Sequence, residues 1–496
     1  MVNTKQFPAS LLMLAISLIW ASSSSALFTD NLSDKEISAA IESDLFIDSG
    51  VSSHLIDVTT KNGIVTLAGS VDNLLAKKRA VKIAQTIRGV RSVIDKISVV
   101  PIERTDDEIQ KNIKRALSWD PATDSYEIEV EVNNGQVALI GDVDSWQEKQ
   151  LASQVAIGVS GVKEVKNEMV INYKSVRPDV EIRADILRRL ESDVWIYDSL
   201  IRVSVENGNV TLTGAVGSVA EKQRAGLLSW IAGVKKVDNS NLNVNAGIDD
   251  ETKRENTVAF QSDDKIKAAI KEAHLYDSRV NAFNLNVEVD RGFVTLTGAV
   301  DNLKAKRSAE KNAKYTVGVW GVKNNLKVRP KDGPSDSEIA QNIRDALAFH
   351  PLVDRYDIGV IVRNKKVYLS GTVDSVFDKK RAEDVAARIA GVAEMDNRLM
   401  VNDSWPFKKD RQIKRDIEKE YLWTIYVDGQ DIFVTVQNGK ANLQGKVDSW
   451  NELQAAVRNA FEGGARTVET HFRMFDGSNE FYFHDHYGYE DLATWP

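Results

Sequence analysis

The sequence predicts an α+β protein of six tandem α-β-β-α-β domains, each a three-stranded mixed sheet with two helices on one face. Three observations predict it. An apolar/polar alternation, broken by a tight turn and closed by a glycine, occurs six times. The copies run Val58–Gly69, Val130–Gly141, Val203–Gly214, Val287–Gly298, Val360–Gly371 and Val434–Gly445. A helical face led by isoleucine stands 32 positions ahead of every closing glycine, from Ile37 and Gly69 to Ile413 and Gly445. Behind every closing glycine a second helical pattern leads into another alternating segment, and such self-similarity outranks any prior from chain length.

The first helix is read from Ile37, Ile41 and Leu45, with equivalents such as Ile109, Ile113 and Leu117, because i, i+4, i+8 spacing lays them on one face. Ser33 with Glu36, Thr105 with Glu108 and Ser335 with Glu338 form capping boxes at its start. The hairpin follows, with turns at Asn62-Gly63, Asn134-Gly135, Asn207-Gly208, Arg291-Gly292, Asn364-Lys365 and Asn438-Gly439. Asn-Gly suits a two-residue turn because both positions need positive φ. The second helix is capped by Asn73, Ser145, Ser218, Asn302, Ser375 or Ser449. It carries an alanine at a fixed point (Ala80, Ala152, Ala225, Ala309, Ala382, Ala456), read as a close approach to the sheet. Its end is placed at Gly89-Val90, Gly161-Val162, Gly233-Val234, Gly321-Val322, Gly391-Val392 and Gly464-Ala465, glycine being the common stop. The third strand completes the unit.

Domains are therefore expected at 31–102, 103–175, 176–247, 260–331, 333–404 and 407–478, with a polar linker at 248–259 and an unassigned aromatic tail at 479–496. A unit of this length reads as a bead with its own core, on a semi-flexible string. Two correspondences divide the array into a duplicated triplet: the fourth copy echoes the first around Ala80 and Ala309, and the fifth echoes the second around Pro121 and Pro351. The sixth departs most, with Ala441 for a strand valine and Gly464-Ala465 for Gly-Val, so its last strand is expected to pack less well. Residues 1–26 read as a secretory signal, with Lys5, the apolar run Leu11–Trp20 and small residues before Ala26. That run is too short to span a bilayer. The expectation is a periplasmic chain with no transmembrane span.

The unit resembles the BON domain, a family of bacterial envelope proteins. The resemblance rests on Ile109, Asp120-Pro121, Val130–Val143 and Gly161-Val162, with equivalents in every copy. It implies the α-β-β-α-β fold and binding to phospholipid surfaces, with no known chemistry and no cofactor.

The residues themselves point the same way. A net charge of −8 argues against a nucleic-acid-binding surface, and the absence of cysteine removes disulfide and thiolate chemistry. No carboxylate pair, phosphate loop or nucleophile pattern supports an enzyme. His484 and His486 are strand-spaced, but two ligands do not make a zinc site. Basic residues gather on second helices: Lys77, Lys78, Arg79 and Lys82; Lys304, Lys306 and Arg307; Lys379, Lys380 and Arg381. The plainer reading is a solvated helix face, and the sharper one is contact with anionic lipid headgroups. Trp119 and Trp423 occupy one equivalent position, with core packing weighed against interfacial anchoring. The partner expected is an anionic phospholipid membrane surface, with weak contacts summed over the beads. A scaffold for envelope proteins or glycans is the alternative.

Overall fold

The computed structural model describes residues 32–488 apart from 52, 124–126, 174–176, 246–247, 249–260, 281–284, 331–332, 403–407 and 477–478. The segment read as a secretory signal and nearly all of that read as a linker lie outside the described residues.

Domain 1 sets the pattern: α1 (Asp34–Ile47), β1 (Ile56–Lys61), β2 (Ile64–Val71), α2 (Leu74–Gln85) and β3 (Ser92–Val99). β1 and β2 pair antiparallel, and β3 lies parallel to β2, which is therefore central. The other five domains repeat this pairing, with the third strand split into two short pieces in domains 2, 3 and 4. Ile37, Ile41 and Leu45 from α1, Val65 and Leu67 from β2, Ala80 from α2 and Ile97 from β3 form one core. Each buried aliphatic side chain contributes roughly 1.5–3 kcal/mol of burial free energy. The six equivalent alanines are fully buried, as close helix–sheet packing requires.

Every turn residue at the six hairpin tips has positive φ. The closing glycines are forced for a second reason: a Cβ on Gly69 would sit 2.0 Å from the Leu55 carbonyl oxygen. In each domain the turn is also clamped from outside by the aspartate that opens the first helix. Asp179 accepts from the amides of Asn207 and Gly208 at 2.7 and 2.9 Å. Asp34, Asp106, Asp263, Asp336 and Asp410 do the same in their own domains. Asp179→Ala removes both acceptors and is expected to destabilise that hairpin by about 1–2 kcal/mol. Faster amide hydrogen exchange at Asn207 and Gly208, with domain 5 unchanged, is the measurement.

Three expectations are corrected. In domain 4 the second helix stops at Gly318, not Gly321. Gly318 has φ +82 and lies against Ile266 as Gly89 lies against Ile37, whereas Gly321 opens the third strand. The last strand of domain 6, Thr467–Asp476, is paired on both sides, because Asn479–Gly488 from the tail adds a fourth, antiparallel strand. Phe472 and Met474 in it are fully buried.

The domains are also not separate beads. Trp423 of domain 6 and Val219 of domain 3 are buried in the core of domain 1, and Leu74 of domain 1 is buried in that of domain 2. A unit of about 70 residues leaves much of its apolar surface uncovered, and here neighbouring units cover it. The joints obey an approximate two-fold rule that exchanges domain 1 with 4, 2 with 5 and 3 with 6. Ile87 bridges Thr424 between domains 1 and 6, and the equivalent Thr316 bridges Asp193 between domains 4 and 3. Domains 2 and 5 join reciprocally. The Ala390 amide donates to the Trp119 carbonyl (3.0 Å) and the Ser160 amide to the Phe349 carbonyl (2.8 Å), while the Trp119 and Phe349 rings stack. The duplicated triplet of the sequence is thus also the symmetry of the assembly.

The joint between domains 1 and 6 carries an acidic trio. Burial, then Glu420 and Glu462, holds the Asp44 carboxyl well above the usual range, with Lys419 opposing. Burial and Glu462 push Glu420 up to about 7, against Lys419 and Lys408. A raised carboxyl favours the joint where it is protonated, so that contribution is lost as pH rises through about 7. Glu420→Gln is expected to raise the thermal midpoint above pH 7 and to leave it nearly unchanged well below. Equal shifts at both pH values would reject the assignment.

Candidate functional site

The second helices of the domains turn inward, and the space between them is a cavity of about 1650 Å³ lined by residues of all six domains. That exceeds the roughly 300–1,000 Å³ usual for a small-molecule pocket. Among its described lining residues are fourteen basic and eleven acidic side chains, in a chain whose net charge is −8.

Many of the lining acids already have structural partners. Asp193 holds Arg224 through two oxygens at 2.6 and 2.5 Å. Asp384 holds Lys304 at 2.9 Å and Glu383 holds Arg307, which ties domain 5 to domain 4. Glu221 and Glu452 accept backbone amides at the starts of their helices. Arg279 of domain 4 forks onto Asp120 of domain 2, with Nη1 2.9 Å from Oδ1 and Nη2 2.8 Å from Oδ2, although only the first contact is aligned as a hydrogen bond.

At the centre are Lys82 and Lys311, one position repeated in domains 1 and 4. Burial, then Arg79, Arg224 and Arg458, brings Lys82 down to about 8. Burial, then Lys82, Lys304 and Arg224, brings Lys311 down to about 7, with Asp277 opposing. Both side chains retain accessible surface, but protein surrounds them and that surface faces the cavity. Desolvation and like charge both disfavour the ammonium form. An anion between them would relieve both. Tyr315 and Tyr426 add aromatic walls: Tyr315 lies under Arg224 (5.0 Å) and Tyr426 packs edge-on against Trp195 (4.7 Å).

Of the basic residues singled out from the sequence, Arg79, Lys82, Lys304, Arg307, Lys380 and Arg381 line this cavity. Arg79 is also anchored by Asp48 (2.5 Å) and lies over Phe377 of domain 5 (4.5 Å). Lys77 stays within domain 1, paired with Asp95 at 3.3 Å and donating to the Ile97 carbonyl. Lys78 is exposed, Lys306 half-buried and Lys379 buried in domain 5, and none of the three lines the cavity. Trp119 lies in the joint with domain 5, and Trp423 is buried at 8% exposure in domain 1. Sequence reading missed Arg224, Lys311 and Arg458, which stand outside the basic runs. Aligning the copies on Ala80 and Ala309 would have found Lys311.

No helix among the described residues is long and apolar enough to cross a membrane. The BON domain family matches residues 33–101, 105–173, 178–246, 262–330, 335–403 and 409–474. Osmotically-inducible protein Y of Escherichia coli is 33% identical over 145 residues, which is 28% of this chain and 72% of that protein. Outer membrane lipoprotein DolP of Haemophilus influenzae is 34% identical over 108 residues, covering 21% of this chain and 56% of its own length. The 21 kDa hemolysin of Actinobacillus pleuropneumoniae is 28% identical over 140 residues, covering 27% and 72% respectively. With six matched domains in the expected register, the chain belongs to the BON domain family.

Proposed function

We propose that the chain is an exported, non-enzymatic protein of the bacterial envelope that binds anionic phospholipid and acts under osmotic or envelope stress. The names of two relatives, an osmotically-inducible protein and an outer membrane lipoprotein, support the setting. The observation that carries the binding is the Lys82–Lys311 centre, where two ammonium groups of reduced proton affinity share a cavity with Arg224. The weak contacts that a string of beads would spread along a membrane are gathered here in one interior. A phosphodiester headgroup supplies the charge, and the aromatic and aliphatic walls suit the glycerol backbone. Lipid-facing contacts are assigned to Arg79, Lys82, Lys304, Lys380 and Arg381 in this interior.

Co-sedimentation with vesicles tests the reading. Binding is expected to phosphatidylglycerol vesicles, to be absent with phosphatidylcholine, and to weaken as salt rises from about 0.1 M, where the screening length is about 10 Å. Equal binding to both lipids would reject it. Binding to neither would favour the scaffold reading.

A further inference from the structure

The C-terminal hairpin builds a cluster that the sequence leaves scattered. Antiparallel pairing of Asn479–Gly488 with Thr467–Asp476 sets His471 opposite His484 and Glu469 opposite His486. Alternate residues of a strand share a face, so all four side chains emerge on one side of the sheet. Phe472, by contrast, is buried in the core of domain 6, and Phe483 and Tyr487 pack against that core. The His471 and His484 rings are 4.2 Å apart between centroids, and those of His484 and His486 are 5.5 Å apart. Glu469 Oε1 lies 3.9 Å from His484 Nε2 and 3.6 Å from His486 Nε2. One ligand atom each from Glu469, His471 and His484 fall within 4.8 Å of one another.

We propose that Glu469, His471, His484 and His486 form a binding site for a divalent transition metal of the zinc, nickel or copper class. The pair His484 and His486 lacks third and fourth ligands in the sequence; strand pairing supplies them from the preceding strand. Imidazole selects these metals over calcium and magnesium, which prefer oxygen. Bond lengths of about 2.0–2.1 Å need the donor atoms to close by an ångström or so, which exposed side chains on a fixed register reach by rotation. The Glu469 carboxylate also accepts from Lys440 Nζ at 2.5 Å. That hydrogen bond, with the Lys440 charge beside it, holds the Glu469 carboxyl below its usual range. Bound metal would fasten the tail strand to the strand before it and hold it in place as the fourth strand of the sheet.

The test is calorimetric titration of the full chain, free of any histidine tag, with zinc chloride and separately with magnesium chloride. Expected are one equivalent of zinc bound and no response to magnesium. His471→Ala/His484→Ala is expected to weaken zinc binding by about a hundredfold, each lost ligand costing roughly tenfold or more. Its far-UV circular dichroism should stay unchanged, because both side chains are exposed. Lys440→Met should bind zinc at least as well as the parent. Absence of zinc binding, or full zinc affinity in the double variant, would overturn the proposal.

Discussion

Lys82→Glu/Lys311→Glu is expected to weaken binding to phosphatidylglycerol vesicles by about a hundredfold. Each basic residue near an anionic surface is worth roughly 1 kcal/mol, and reversal both removes that attraction and adds repulsion. Screening by salt reduces the total, which is why the expectation stops at two decades. The fold should tolerate the change, since the pair is mutually repulsive and neither side chain supplies core area. Lys77→Glu/Lys78→Glu is the control: it reverses two cations outside the cavity and is expected to alter binding by less than about threefold. If the control variant loses binding and the cavity variant does not, the headgroup meets the outer helix face and the interior assignment is wrong. The parent should also show a pH signature. A lysine brought down to about 7 or 8 is charged below that value, so affinity should fall as pH rises through this window. The double variant should lack that dependence.

The second large effect concerns Arg279 and Asp120, the buried pair that joins domain 4 to domain 2. The Asp120 side chain is 0% exposed and that of Arg279 is 12% exposed. Arg279→Leu leaves a carboxylate buried without its partner, and such a loss costs about 3–5 kcal/mol. The urea midpoint should drop accordingly. Asp120→Asn/Arg279→Leu should recover much of that loss, because removing the remaining charge removes the desolvation penalty. A single variant as stable as the parent would mean that the joint is held by packing alone.

What the sequence made legible was local. The hairpins could be read because Asn62-Gly63 and its relatives need a backbone that few residues adopt, and because alternation fixes which side chains face inward. The first helix was legible through Ile37, Ile41 and Leu45 for the same kind of reason. The misplaced stop in domain 4 came from two Gly-Val pairs three residues apart. The interval from Gly298 to Gly318, the same as from Gly69 to Gly89, decides between them. What stayed hidden was long-range. Trp119 and Trp423 read first as core and second as membrane anchors, since a sequence does not say which surface meets a large apolar side chain. In the fold both serve domain–domain contact, and the varied equivalents at that position, Ile47, Ser192, Tyr276 and Phe349, reflect different neighbours. The cationic interior was half visible. Runs such as Lys77–Arg79 drew attention, whereas the central Lys311 stands apart from its helix's basic run and gains its meaning only from Lys82, in another domain.

Joining two triplets in one chain lets equivalent positions drift apart, which two copies of a single gene product could not do. Lys82 and Lys311 have stayed alike, but Arg79 corresponds to Ser308, and Lys304 corresponds to Leu75, which packs against the cores of domains 2 and 5. The cavity wall is therefore matched at Lys82 and Lys311 and unlike beside them: Arg79 faces it in one triplet where Ser308 does in the other, and Lys304 lines it while Leu75 does not. A guest with two unlike ends would meet a different set of charges from each triplet, and so would settle in one orientation.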